Sequence, residues 1–408
     1  MEPMPSPSLT GATVTVSRRQ YLSLDRVAFG LLLAFVAALQ MSIAAAQIVL
    51  TATLLCWAAI LVRRHERPAA PRFFLPLAAY AGWTLVATIF SFDFEVSLVD
   101  DKQLVLFLIV PAVYELARGE RASTVIDVLV SAGAASAAIG IIQYGVLHYN
   151  NLHQRPQGAL THYMTYSGLL MLVIAVAAAR LIFGRRDRTW PALVMPALVV
   201  ALAITFGRSA WVGTCVAIGL LLVLRNVRLI VLLPALVALM FLFAPDRINA
   251  RMVSVFDLQD PTVRDRLAMV HTGAAIIRDQ PLTGIGPDMV PRKYAQFRDP
   301  SAVQATNPHL HNVPLQIAAE RGLPAVGLWV WFVAVLVVGL WRLYRAGTCR
   351  VLAAGSLAVV AAMVSAGMTE YNFGDSEFLM LFLVLATLPF AAARDRPDST
   401  ASRMTNPQ

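Results

Sequence analysis

HYMTYSGLLMLVIAVAAARLIF, residues 162–183, decides what kind of fold this chain can have. No charged side chain lies between His162 and Arg180. A run of that length approaches the ~20 residues that a helix needs to cross a hydrocarbon core about 30 Å thick. In such a core every backbone N–H and C=O must be satisfied internally, which a single helix does and an isolated strand does not. Working outward, similar segments are expected at 26–43, 45–63, 73–91, 103–118, 124–147, 190–206, 208–224, 227–244, 323–345, 351–369 and 375–392. The expected fold class is therefore an all-α integral membrane protein of about twelve spans. Composition agrees: 58% of the residues are hydrophobic and only 14% charged, whereas soluble domains carry roughly a quarter charged residues.

Basic residues orient the segments. Of the 33 basic side chains 31 are Arg, and most stand at the ends of apolar runs. That placement reads as membrane topology, and it argues against a nucleic-acid-binding face despite the net charge of +9. Alternate loops divide the basic residues 21 to 12, and nine of the 12 fall in the single stretch 245–322. By the positive-inside rule both termini are expected to be cytoplasmic. The chain then divides into an N-terminal tail (1–25), transmembrane segments one to nine (26–244), a large, partly helical periplasmic loop (245–322), the last three segments (323–392) and a cytoplasmic tail (393–408). The first 20 residues lack the apolar core of a signal peptide, so the first span itself should direct insertion. Cys56 and Cys215 lie inside apolar runs and Cys349 beside a basic loop. Neither a disulfide nor a CxxC-type metal site is expected.

The other face collects the unusual polar residues. It carries six of the seven histidines, His148, His153, His162, His271, His309 and His311, together with 92–102, 205–209 and the run Glu370-Tyr371-Asn372-Phe373-Gly374-Asp375. One such histidine is an ordinary interfacial side chain. Six on one side point to a place where protons move or anions bind. Within the long loop, 262–278 reads as a helix with Leu267, Val270, Ala274 and Ile277 on one face and Arg264, His271 and Arg278 on another. Asn312-Val313-Pro314 reads as a helix start that Gly322 and Pro324 should end.

Three clusters carry chemistry. Arg208 stands between two apolar runs, where a guanidinium is costly unless hydrated or paired; it is either functional or a snorkelling interfacial residue beside Trp211. Arg264-Asp265-Arg266 offers two forks that match phosphate oxygens, or else a solvated helix whose charges pair locally with Asp260 and Asp265. Asn307-Pro308-His309-Leu310-His311-Asn312 offers imidazoles, the usual general bases near neutral pH, just before a helix N-terminus that would favour an anion. Two histidines at i, i+2 could also chelate a metal, but no carboxylate or third histidine follows at familiar spacing, and no metal is expected.

Gly207-Arg208-Ser209-Ala210-Trp211, then Arg266 followed by Pro281-Leu282-Thr283-Gly284-Ile285-Gly286, then His311-Asn312 with Leu315 and Glu320-Arg321-Gly322, resemble in their order the O-antigen ligase and polymerase superfamily of bacterial inner-membrane glycan transferases. The resemblance covers most of the chain, and its specific motifs lie between about 200 and 325. The family often has an aromatic residue four positions after the second arginine, and Val270 stands there in this chain. The resemblance implies transfer of O-antigen polysaccharide from undecaprenyl diphosphate to a sugar hydroxyl of lipid A-core, on the periplasmic face, without nucleotide, metal or other cofactor. Arg208 and Arg266 would then stabilise charge developing on the diphosphate, and His311 would take the acceptor proton. Because no nucleophile–base pair stands out, direct inverting displacement is expected rather than a covalent intermediate. Arg264, His309, Asn312, Arg155 and His162 are the supporting candidates for orienting diphosphate or sugar. The alternatives are an O-antigen polymerase, a protein O-oligosaccharyltransferase of the same superfamily, or a lipid-linked glycan transporter. A transport path should also mark the bilayer midplane with polar residues, and these segments hold few.

Overall fold

The structure is a computed structural model that describes residues 10–152, 154–185, 188–243, 246–254, 257 and 259–394. Every regular element among them is helical. The first eight α-helices are α1 (Thr10–Ala38), α2 (Ile43–Arg64), α3 (Phe74–Ile89), α4 (Phe94–Asp100), α5 (Ile109–Leu116), α6 (Arg121–Gly145), α7 (Tyr163–Phe183) and α8 (Thr189–Ile204). They are followed by α9 (Arg208–Arg225), α10 (Leu232–Phe243), α11 (Asp246–Val253), α12 (Pro261–Asp279), α13 (Val290–Phe297), α14 (Val313–Ala346), α15 (Arg350–Gly367) and α16 (Ser376–Ala393). Seven of these, α2, α6, α7, α9, α14, α15 and α16, are long and apolar enough to cross a membrane, and α3 and α8 are shorter apolar helices.

Each expected apolar segment lies on helix, but two are not single α-helices. Residues 103–118 divide into a 3₁₀ stretch, Asp101–Leu108, and α5. Pro111 explains the break: its ring would clash with the carbonyl four residues back, so the α-helix starts afresh with the proline in its first turn. Pro234 does the same for 227–244, where a 3₁₀ stretch, Val227–Val231, precedes α10. At the N-terminus α1 begins at Thr10, well ahead of the expected boundary at 26. Extending an existing helix needs no new nucleus.

The centre of the molecule is α7, which touches α6, α8, α9, α15 and α16. Its residues from Leu169 to Ala179 are buried on every side, as a helix without a polar face must be. Between such helices there is little hydrophobic drive, so small residues and polar bridges hold them. Ala175, Ala177 and Ala179 on α7, and Ala354, Ala358 and Ala362 on α15, let backbones approach. Tyr166 donates its hydroxyl to the Ser136 carbonyl at 3.0 Å, and Ser356 to the Leu385 carbonyl at 2.6 Å.

The region 245–322 has a small core of its own, built from Met269, Ile276, Ile285, Met289, Tyr294 and Leu310. The buried face of α12 is Asp265, Ala268, Met269, Thr272, Gly273 and Ile276. This corrects the face expected from periodicity, because Leu267 and Val270 are exposed. Small residues take the inner position because α14 comes close: a Cβ on Gly273 would lie 2.7 Å from Leu315.

Asn312 caps α14 as expected, accepting from the Leu315 N–H at 2.9 Å. The helix then kinks at Gly322, which takes φ 78° and ψ 171°. A kink orphans the carbonyls of the preceding turn. Here the Ala319 and Glu320 carbonyls accept from Ile285 N at 2.9 Å and Gly286 N at 3.0 Å. Leu323 N donates back to Pro281 O at 2.9 Å. The approach is so close that a Cβ on Gly322 would lie 1.9 Å from the Leu282 carbonyl oxygen. The segment 281–286 is thereby fastened to the kink.

Candidate active site

The starts of α7, α9, α14 and α16 and the end of α15 lie at one end of the bundle, and the candidate residues are distributed among them. His311 occupies a left-handed conformation, φ 49°, immediately before the cap of α14. Two positions apart, residues 309 and 311 share a face of an extended segment, and with His311 at this positive φ the two imidazoles meet at 4.2 Å between ring centres, edge to face.

Glu370 brings the cluster together. Its carboxylate lies 3.0 and 3.1 Å from His311 Nδ1, 3.9 Å from His309 Nε2 and 3.8 Å from Arg266 Nη2. Burial alone would raise this carboxyl. The hydrogen bond from His311, then the charges of His311, His309 and Arg266, outweigh burial and hold it at about 2. With Glu370 ionised, His311 donates through Nδ1 and presents Nε2 as the acceptor nitrogen. Burial first, and then the neighbouring His311, push the His309 imidazole down to about 4. Its Nδ1 is buried without a hydrogen-bond partner among the described residues. Burial also lowers Arg266, against the opposing pull of Glu370.

His309 and Glu370 line a cavity of about 200 Å³ together with His162, Ser209, Ala210 and Asp375. Ser209 and Ala210 follow Arg208, which opens α9 and is only 7% exposed. The guanidinium of Arg208 donates through Nη1 to the carbonyl of Ser254 at 3.3 Å and its hydroxyl at 3.1 Å, and lies 3.8 Å from Asp260. Asp260 also lies 3.5 Å from Arg251 and caps α12 by accepting from Thr262 and Val263 N–H. A second cleft, of about 550 Å³, is lined by Phe206, Arg251, Ser254 and Asp260. Arg208 therefore lies in sequence between the walls of the two cavities, Phe206 lining the second and Ser209 the first. Its burial is compensated in part, by Ser254 and the charge of Asp260, while Nη2 makes no hydrogen bond among the described residues.

The other candidates divide. Arg155, on the loop before α7, donates to the Leu152 carbonyl at 3.1 Å and stacks over Tyr163 at 4.2 Å. It is within electrostatic range of Arg251. His162 caps α7 through Nδ1, accepting from Met164 N at 3.3 Å, and lines the smaller cavity. Asn312 is engaged at both ends of its amide, its Nδ2 donating to the Met368 carbonyl at 2.9 Å. Arg264 is exposed: two residues from Arg266, it faces the opposite side of the helix. Among the described residues the local pairing considered for Arg264 and Arg266 with Asp260 and Asp265 is not found. Asp265 instead accepts from Val303 N, Gln304 N and Asn307 Nδ2, holding the loop that leads to His309. Of the other histidines, His271 meets Asp299 at 3.2 Å and is largely exposed, and His153 lies outside the described residues.

Three residues gained no role from sequence: Glu370, Arg251 and Asp260 as the partner of Arg208. Glu370 was placed on this face by the charge pattern but stands 59 positions after His311. That separation also bears on metal binding. His309, His311 and Glu370 bring ligand atoms within 4.8 Å of one another, a set that could hold a cation. Spacing near the His pair gave no third ligand, and the fold supplies one. The Arg266 guanidinium beside the same carboxylate opposes a further cation there.

An all-helical, multi-pass membrane protein with arginines and histidines gathered at one end of its bundle is what fold and site define. Residues 193–330 match the family model described as O-Antigen ligase, Wzy_C. The matched stretch contains Arg208, Arg251, Arg266, His309 and His311; Glu370 lies beyond it. No curated protein matches the chain.

Proposed function

We propose that this chain is an O-antigen ligase, which transfers polysaccharide from undecaprenyl diphosphate to a sugar hydroxyl of lipid A-core at the periplasmic face of the bacterial inner membrane. The observation that carries the reading is the meeting of His311, Glu370 and Arg266 from three distant parts of the chain. In the proposed step the acceptor oxygen attacks the anomeric carbon, and its proton passes to His311 Nε2. The bond between that carbon and the diphosphate breaks, and the electron pair leaves on a diphosphate oxygen. Glu370 keeps His311 in the productive tautomer and balances its charge when protonated. Arg208, Arg266 and Arg251 offset the negative charge that grows on the leaving group, where fixed donors act most strongly. Glycan and lipid portions of both substrates would reach the two cavities from the membrane side.

A second assignment of the base is supported by one observation: His309, and not His311, is in the wall of the smaller cavity, with an unpartnered Nδ1. An imidazole held at about 4 is a poor proton acceptor at neutral pH, which favours His311.

A deletion strain separates the readings. Loss of all capped lipopolysaccharide, with long polymer accumulating on undecaprenyl diphosphate, is expected of a ligase. Retention of single-unit caps would identify a polymerase. Purified protein should also ligate in excess chelator; activity lost there and restored by one specific metal would reassign His309, His311 and Glu370 as metal ligands.

A further inference from the structure

A third cavity lies at the opposite end of the bundle from the candidate active site. It is an open groove of about 820 Å³ between the turn before α3, α5, the second half of α14, and α16. Its walls are apolar along α14 from Ala334 to Gly339, and Phe73 and Phe390 pack on each other at 5.2 Å beside it. Among the described residues its lining includes no acidic residue and three arginines: Arg72 just before α3, Arg342 near the end of α14, and Arg394 just after α16. All three are exposed. Arg394 stacks over Tyr114 at 4.5 Å. Among the described residues none of the three guanidinium groups has an ion pair or hydrogen bond. Glu115, the carboxylate next to Tyr114, is occupied elsewhere, accepting from Trp57 Nε1 at 3.0 Å and Ala69 N at 2.7 Å.

We infer that this groove binds one anionic glycerophospholipid, its phosphate held by Arg72, Arg342 and Arg394 and its acyl chains laid along α14. Length supports a lipid. From Ala334 to Ala346 the helix rises about 18 Å, close to half of a hydrocarbon core about 30 Å thick. Charge is arranged to match, with arginines at the rim and apolar walls inward of them. Basic pockets between transmembrane helices recognise anionic headgroups in this way. The chain's own segment 395–408 is a poor occupant, since Met404 is its one large apolar residue. The inference does not depend on the proposed glycan transfer, whose residues lie at the other end of the same helices.

Native mass spectrometry of the full-length protein, given equal amounts of phosphatidylglycerol and phosphatidylcholine, tests it. Wild type should retain phosphatidylglycerol about tenfold or more over phosphatidylcholine, and each arginine removed should lower that preference about fivefold. Arg72→Gln with Arg342→Gln is the first variant, because among the described residues neither side chain has a partner whose loss would disturb folding. Val338→Trp is the second: it leaves the arginines and fills the groove, so phosphatidylglycerol retention should fall to the level of phosphatidylcholine. Equal retention of both lipids by wild type would overturn the inference. So would an unchanged preference in either variant, or tighter retention of a polyprenyl phosphate than of phosphatidylglycerol.

Discussion

Glu370 joins two imidazoles and a guanidinium, and the proposed chemistry at the scale of single residues turns on that arrangement. His311→Ala should lower transfer about 100-fold or more, the usual range for a positioned proton acceptor, and considerably more than His309→Ala. Glu370→Ala should come close to His311→Ala, and the double variant should add little, because the pair acts as a unit. Initial rates with purified donor and acceptor decide it; a dead His309→Ala beside a working His311→Ala would move the base to His309. Arg208→Ala and Arg266→Ala should each cost about 100- to 1000-fold, as loss of one leaving-group donor does. Lysine at either position should restore only part, because an ammonium keeps the charge and loses the fork. Full activity of Arg266→Lys would refute the bidentate part of the reading. His309 has a stability consequence as well. Its folded value of about 4 lies below the unfolded one near 6.5. Between those values the unfolded chain binds a proton that the folded protein refuses. Stability should therefore be complete above pH 6.5 and fall as pH drops towards 4. Melting in detergent at pH 7.5 and 4.5 should show a smaller difference for His309→Gln than for wild type.

At the scale of elements, the kink in α14 does two jobs. It ends the short helix that carries Asn312 and the buried Glu320–Arg321 pair, and it exposes the carbonyls that Ile285 and Gly286 then satisfy. Arg321 strengthens the joint through Glu320 at 2.8 Å and Asp100 at 3.1 Å, tying α14 to the end of α4. Gly322→Ala meets two obstacles, a positive φ and the Leu282 carbonyl. Strain of about 1–3 kcal/mol is expected from the backbone alone. The segment 281–286 should detach, and limited proteolysis of the variant in detergent should cut there faster than in wild type. Gly327→Ala, with nothing within 4 Å of the added atom, serves as the control. Equal cleavage in all three proteins would show that the kink does not hold the loop. The motif Pro281–Gly286 thus owes its composition to this docking, because Gly284, with φ 65°, has the Glu320 backbone 2.4 Å from any Cβ.

At the scale of the whole molecule, the uneven distribution of arginine sets the expected orientation. Both termini should be cytoplasmic and 245–322 periplasmic. None of the three cysteines is in a disulfide, so a background with Ser at 56, 215 and 349 allows single cysteines to be placed at the exposed Arg264 and Leu282. These should react with a membrane-impermeant thiol reagent in intact cells whose outer membrane has been permeabilised. Labelling only after lysis would reverse the topology, and with it the side on which the proposed transfer takes place.

The helical, membrane-spanning character of the chain was legible in sequence, because hydrocarbon imposes one rule on every residue of a span: no charge, and all backbone groups satisfied within the helix. Local signals with a fixed partner nearby were legible for the same reason. Asn312 needs only Leu315 N–H to act as a cap, three residues on. The start of α9 at Arg208 and the break at Gly322 are likewise short-range events. What tertiary structure alone decided are pairings across long separations and the faces that helices turn inward. Glu370 meets His311 over 59 positions, and Arg208 meets Asp260 and Ser254 across the loop that follows α9 and α10. The inner face of α12 went to Gly273 and Ala268 rather than to Leu267 and Val270, since the nearness of α14 rewards small residues. Periodicity reports which residues share a face; only the neighbouring helix determines which face is covered.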